Sequence, residues 1–330
     1  MSQVDVLMPF HRDDVFLQKA IRSVLDSREL SFTLYLIDDR AQPKLKLADL
    51  VEDPRVRYVS TGGRQGYGAA IGMGISLSES PYVALMNSDD LVHPFRFSRQ
   101  LSSLKEADVC ITKMQKFSSK FRMLPSISGE FATSTYSHAF LYFGSYGADA
   151  TWMATHSWMK KNWSIDSTAA LDWRIALRAF PNTRIQFLPE VLYFYRSHPL
   201  QTSKFEISDR DFFLIYQSWR ENQSESLKRW SSPSVFQIFA APWRRDKLAT
   251  RPKLVPWIEA LLEELEGQPH EVTNQVKGLI ARRLKLAAIQ GFLHSIQDFK
   301  SLAKFWPFDS TSLYKDVCKS RLQIGPKICN

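Results

Sequence analysis

Two acidic clusters stand at the ends of apolar runs in this chain. Asp38-Asp39 follows Phe32 to Ile37, and Asn87-Ser88-Asp89-Asp90 follows Tyr82 to Met86. Carboxylates gathered in this way suit a hard divalent cation. Mg2+ and Mn2+ take oxygen ligands and are commonly held by one or two carboxylates together with substrate phosphates. Asp89 and Asp90 are therefore candidates for a metal and for a ribose. The same residues also fit a turn that leads acidic side chains into the next helix, where the macrodipole favours them. A metal at this position would offset the charge of a departing diphosphate.

The surrounding pattern says which elements must position these acids. Val4 to Met8 alternates and runs into Pro9, a strand signal. Leu17, Ala20, Ile21, Val24 and Leu25 have helical spacing, with Asp13 and Asp14 suited to the helix start. Strands are predicted for Phe32 to Ile37, Val56 to Val59, Tyr82 to Met86 and Val109 to Thr112. Helices are predicted around Ala70 to Leu77 and after Pro94. Such β-α-β alternation implies a mostly parallel sheet covered by helices. Ligands bind such sheets beyond the carboxyl ends of the strands, so both acidic clusters should meet at one edge. Beyond Gly147, Trp152 to Trp163 reads as a helix with its approach, Ala169 to Ala179 as a helix and Val191 to Arg196 as a strand. Phe212 to Trp219, Leu254 to Leu265 and Val272 to Ile296 show helical spacing.

Composition narrows the class. At 44% hydrophobic and 23% charged residues, the chain lies in the globular range. The three cysteines, Cys110, Cys318 and Cys329, form no disulfide or zinc pattern. The first residues carry neither a basic lead nor a signal-peptide apolar run, and no stretch has the length of a membrane span, so the expectation is a cytoplasmic protein. Of the net charge of +9, the segment from Pro269 onward supplies +6. A basic segment of this kind fits a solvated helix face or an anionic partner. No nucleic-acid recognition module accompanies it, so no nucleic-acid partner is expected. The Gly63 to Gly68 loop lacks dinucleotide-fold spacing, and no Walker A loop is present.

In their order, these segments resemble the family 2 glycosyltransferases of GT-A fold. Val6-Leu7-Met8-Pro9-Phe10-His11 is similar to the family's opening strand and loop, and Leu36-Ile37-Asp38-Asp39 to its Asp-Asp pair. Pro54 to Tyr58 resembles the approach to strand three, and Gly66 to Gly74 the glycine/alanine helix. Ser80 to Asp90 resembles the strand leading to the Asp-x-Asp motif. The resemblance implies a GT-A domain over 1–203 (a nucleotide-binding half, 1–105, and an acceptor half, 106–203), followed by a helical C-terminal extension, 204–330. It implies an inverting enzyme that moves a sugar from a nucleotide diphosphate, most often UDP, with Mn2+ or Mg2+ as cofactor.

Residue roles follow from the same resemblance. Asp38 would hydrogen-bond the base, Pro9 and Phe10 would line its pocket, and Arg64 would reach base or phosphates. Ser88 and Asp89 would bind the nucleotide sugar; Asp89, Asp90 and His198 would hold the metal. Leu171-Asp172-Trp173 resembles the family's acidic helix start and makes Asp172 the general base. Asp149 and Trp152 would meet the acceptor, a glycan or lipid-linked molecule of envelope polysaccharide synthesis. The basic C-terminal helices would let the enzyme lie peripherally on an anionic membrane surface. The sequence departs from the family at Arg40 (a glycine there), Asn87 (the first acid), His11 and Arg64 (asparagines) and Leu171 (a glutamate). These departures leave a second reading, a catalytically degenerate scaffold or binding protein on the same fold.

Overall fold

The computed structural model describes residues 2–12, 15–40, 52–118, 122–124, 137–144, 147–165, 170–199, 201, 208–241 and 254–289. The chain divides into two compact units, one of 1–136 with 145–212 and one of 137–144 with 213–330.

The first unit is built on β1 (Val4–Phe10), all seven residues of which are buried. A strand covered on both faces reads as one apolar run rather than as an alternation, and Val6 to Phe10 does so. In chain order there follow α1 (Val15–Leu25), β2 (Phe32–Asp38), β3 (Val56–Ser60), α2 (Tyr67–Leu77), β4 (Tyr82–Leu85), β5 (Leu91–Val92), α3 (Arg96–Ser103) and β6 (Val109–Ser118). Then come β7 (Trp152–Thr155), α4 (His156–Asn162), α5 (Leu171–Ala179) and β8 (Ile185–Ser197). The eight strands form one sheet in the order β3-β2-β1-β4-β7-β6-β8-β5. Strands β3, β2, β1 and β4 are parallel, as the β-α-β pattern requires. Antiparallel pairing enters with β7, which lies between β4 and β6, and with β5 on β8.

Helix α1 buries Leu17, Ala20, Ile21 and Val24, the i, i+3, i+4, i+7 face read from its sequence. Helix α2 lies close on the sheet. A Cβ at Gly74 would come within 2.6 Å of Ile37 Cδ1 and 3.0 Å of Leu7 Cδ1. Trp152 to Thr155, read as the approach to a helix, is a strand, and the helix proper begins at His156. Thr155 caps it by accepting the Trp158 N–H. Cys110 is buried in the sheet, and burial pushes its thiol up to about 12.

The second unit contains most of α6 (Asp209–Glu221), then α7 (Glu225–Lys228), α8 (Pro233–Phe239), α9 (Leu254–Glu264) and α10 (His270–Ile289). It also takes in the 3-10 turn His138–Phe143, which sequence reasoning had assigned to the catalytic region. Its core is aromatic. Trp257 stacks on Phe239 at 4.6 Å and on Trp219 at 5.7 Å, and Phe143 meets Phe239 edge-on at 6.0 Å. The Arg283 guanidinium donates to the Phe143 carbonyl at 2.7 Å, tying α10 to that turn. Among the described residues, no helix is long and apolar enough to cross a membrane. Phe292, Ile296, Lys300, Lys304, Lys315, Lys319 and Arg321, on which the membrane-surface expectation rested, lie outside the described residues, as do Cys318 and Cys329.

Candidate functional site

Parallel pairing places Phe10 opposite Asp38 where β1 and β2 end, and β4 ends beside them. Pro9 and Phe10 are buried there. Asp38 is wholly buried, and both its oxygens are engaged. Oδ1 accepts from the Arg40 backbone N–H at 3.0 Å and from Arg40 Nε at 2.8 Å. Oδ2 accepts from Arg40 Nη2 at 2.6 Å and from the Tyr58 hydroxyl at 2.6 Å. The Arg40 guanidinium lies 5.2 Å from the centre of the Phe10 ring. Burial alone would raise the Asp38 pKa, but the hydrogen bonds from Arg40 and Tyr58 outweigh it and hold the carboxyl below its ordinary range.

Asp39 faces the other way and builds a loop. It accepts from the backbone N–H groups of Gln65 at 2.7 Å and Gly66 at 2.9 Å, and from the Thr61 hydroxyl at 3.0 Å. Gly66, at φ 93°, turns the chain into α2. Arg64 is carried exposed on this loop. Its charge acts on His11, which is half-buried between the two acidic clusters. Burial first, then Arg64 and Arg12, lower the His11 pKa, while Asp39 and Asp89 oppose them.

The second cluster is held by β8. Residues Leu91 and Val92 pair with Phe194 and Tyr193, which brings the Asp89-Asp90 turn against the end of that strand. Asp90 is wholly buried and points inward. It accepts from the Tyr193 hydroxyl at 2.6 Å, the Arg196 N–H at 2.7 Å and the Asn87 amide at 3.1 Å. Burial, together with the neighbouring Asp89 charge, raises its pKa to about 7 against these donors. Three donors thus hold its oxygens within the fold, which leaves Asp89 as the more open of the two acids. The Asp89 carboxylate keeps 32% of its surface, and its Oδ2 lies 2.9 Å from His198 Nε2. The His198 ring packs on Phe16 at 5.2 Å, and the Arg196 guanidinium lies 4.6 Å from both the Phe16 and Phe117 rings. Ser88 is half-buried between Asn87 and Asp89.

Among the described residues, no three His, Cys, Asp or Glu side chains converge on one point. The donors that do face one another are one carboxylate and one imidazole, Asp89 and His198. That partial set fits an oxygen-preferring cation whose remaining ligands are substrate phosphates and water.

A third acidic pair lies at Asp149 and Asp172. Asp172 occupies the first turn of α5, where the helix dipole favours a carboxylate. The helix is anchored by buried Leu171, Trp173, Ile175, Ala176 and Leu177. It is entered through Ala170 in a left-handed conformation, φ 53° and ψ 41°, which a residue with a Cβ rarely adopts. Asp149 is buried on the 3-10 turn Asp149–Thr151. Its pKa is raised to about 7, first by burial and then by the Asp172 charge. The Tyr67 phenol beside it favours the charged form without closing a full hydrogen bond. Trp152 does not join this group. It is wholly buried, 5.1 Å from the Phe180 ring and 6.3 Å from that of Trp158, so its indole has no face for an acceptor sugar.

Several residues that shape the site were not singled out from sequence. Arg96 is wholly buried, and its Nη2 donates to the carbonyls of Leu85 at 3.1 Å and Ala150 at 2.6 Å. It thereby ties the end of β4 to the turn that carries Asp149. Burial lowers its pKa to about 10. Tyr58 and Tyr193 hold Asp38 and Asp90. An arginine and two tyrosines inside predicted helices and strands give no local sign of such roles. Arg40 did stand out as a departure, though its partner is visible only in three dimensions.

Residues 5–161 match the family model "Glycosyl transferase family 2". An uncharacterized glycosyltransferase of Haemophilus influenzae is 25% identical over 115 residues, which is 34% of this chain and 46% of that protein. The succinoglycan biosynthesis protein ExoO of Rhizobium meliloti is 31% identical over 84 residues, 25% of this chain and 24% of ExoO. The chain thus spans under half the length of these relatives. Among solved structures, Staphylococcus aureus TarS 1-349 in complex with UDP-GlcNAc superposes with a TM-score of 0.61 at 15% identity, covering 98% of this chain and 93% of that one. That likeness establishes the GT-A fold.

Proposed function

From the match of residues 5–161 to glycosyltransferase family 2, we propose that the chain transfers a sugar from a nucleoside diphosphate, UDP first among the candidates, to a glycan or lipid-linked acceptor with inversion at the anomeric carbon. What supports the reading is that the acids act on shared neighbours: Asp38 lies opposite Phe10, His11 feels both Asp39 and Asp89, Asp89 pairs with His198, and Tyr67 feels Asp149, Asp172 and Asp90. The UDP-GlcNAc held by TarS and the polysaccharide role in ExoO's name support the donor and acceptor classes.

In this proposal the base lies between Phe10 and Asp38, and the diphosphate runs past His11 and Arg64 toward Asp89. Asp89 and His198 would hold Mn2+ or Mg2+, which would offset charge on the diphosphate. Asp172 takes the proton of the acceptor hydroxyl as its oxygen attacks the anomeric carbon. The bond to the diphosphate breaks on the opposite face, so one displacement inverts the configuration. Asp149, which keeps a proton up to about pH 7, sits beside Asp172 as a hydrogen-bond donor for sugar or acceptor. The division at 203/204, a cytoplasmic location and peripheral contact of the basic C-terminal segment with anionic lipid complete the proposal.

Thermal unfolding with UDP, GDP, dTDP and CDP, each with and without Mn2+, tests it. A ligand specific to the folded state raises the melting temperature by mass action. The expected result is a metal-dependent rise with one nucleotide that Asp89→Ala abolishes. No rise with any of the four at millimolar concentration would favour a degenerate scaffold instead.

A further inference from the structure

The four donor groups on the Asp38 carboxylate have a consequence for how a nucleotide enters. A carboxylate offers about four lone-pair positions. On Asp38 these are filled by the Arg40 N–H, Arg40 Nε, Arg40 Nη2 and the Tyr58 hydroxyl. Asp38 has no exposed surface, whereas the Arg40 side chain over it retains 11%. The guanidinium is planar, lies over the Phe10 ring with its carbon 5.2 Å from the ring centre, and presents N–H donors to Asp38 along one edge. Those are the three properties by which a pyrimidine with a ring N–H would occupy the same place.

We infer that Arg40 is an internal occupant of the nucleobase seat, and that a donor nucleotide binds by displacing it from Asp38. The inference rests on the nucleotide-sugar reading above and adds a determinant of affinity and base choice. The ion pair closes the seat in the free protein, so the apparent dissociation constant is raised by the inverse of the open fraction. Of the pyrimidines, uracil carries a ring N3–H that the vacated carboxylate accepts. Cytosine presents an unprotonated N3 at that position and gains less from the vacancy. Tyr58 remains on Oδ2 in either state, leaving Oδ1 as the acceptor for the base.

The test is isothermal titration of UDP and CDP, with Mn2+, into the full-length wild type, Arg40→Ala, Arg40→Gln and the double variant Asp38→Asn/Arg40→Ala. Arg40→Ala should bind UDP about tenfold more tightly than the wild type, with a smaller gain for CDP. Arg40→Gln leaves one neutral donor near Asp38 and should move UDP in the same direction; it serves if the alanine variant folds poorly. The double variant should lose the gain. Equal or weaker UDP binding by Arg40→Ala and Arg40→Gln would overturn the inference, as would a gain that survives Asp38→Asn. Absence of nucleotide binding by every variant and the wild type would instead remove the nucleotide-sugar reading, and this inference with it.

Discussion

At the scale of single residues, the two acids Asp149 and Asp172 are divided by environment. Asp172 stands at a helix start and is partly exposed; Asp149 is buried and feels its charge. As the proposed general base, Asp172 should contribute to turnover and little to donor binding. Asp172→Asn should reduce kcat by about 10²–10⁴-fold with an unchanged dissociation constant for the nucleotide, measured by transfer assay and titration. An equal loss in affinity would assign Asp172 to the donor site. Asp149 makes a prediction in pH. Its pKa rises from 3.8 to about 7 on folding, so the unfolded chain releases the proton first. The stability contributed by protonated Asp149 is complete below about pH 4 and is lost as pH rises through about 7, at about 1.4 kcal/mol per pH unit at most. Asp90, raised in the same direction, adds a second fall over the same window. Asp149→Asn cannot ionise, so its melting temperature should decline less than the wild type's between pH 4 and pH 7. Parallel curves would show that Asp149 carries no shifted proton.

At the scale of elements, the strands and helices that position the site were largely legible because each signal is local. The apolar runs of β1, β2 and β4 end in turn-forming or acidic residues, and α1 shows its buried face in four residues. Contacts between distant elements were not legible. Tyr193 and Asp90 are 103 positions apart, and Arg96 reaches Ala150 across 54. Nothing near either residue in sequence marks the partner. Strand β7 was missed because four residues beside a helix carry too little periodicity to separate strand from helix. The entry to α5 was also hidden: a left-handed alanine has no sequence signature, since the conformation is imposed by what surrounds it. A left-handed residue with a Cβ is disfavoured by about 1–2 kcal/mol, partly offset by the greater unfolded-state entropy of glycine. Ala170→Gly should therefore stabilise the protein by up to about 1 kcal/mol in urea unfolding, and with more freedom before Asp172 it should not raise kcat. A loss of stability would mean that Ala170 leaves the left-handed region in solution.

At the scale of the whole molecule, each of the two units has its own core, and the two cores differ in kind. The first is aliphatic, built around Val4, Val6, Met8, Leu34, Leu36 and Ala84 from adjacent strands. The second is a stack of rings, with Trp257 between Phe239 and Trp219 and the turn 138–143 contributing Phe143. A residue so placed carries much of its unit's buried area. Trp257→Ala should destabilise the second unit by about 3–5 kcal/mol. The indole N–H is itself buried without an acceptor among the described residues, so the polar atom adds nothing to the loss. Trp257→Phe discards that N–H, keeps a ring on Phe239, and should cost less than half as much as the alanine variant. Calorimetry of the three proteins tests the ordering, with UDP titration at a temperature below every transition as the control for the first unit. The residues proposed for the donor site all lie in the first unit, so the nucleotide dissociation constant should stay within about twofold of wild type, under 0.5 kcal/mol. If phenylalanine proved as costly as alanine, the ring contact with Phe239 would be excluded as the main source of the loss, and the indole N–H would have to find an acceptor that the core as described does not provide.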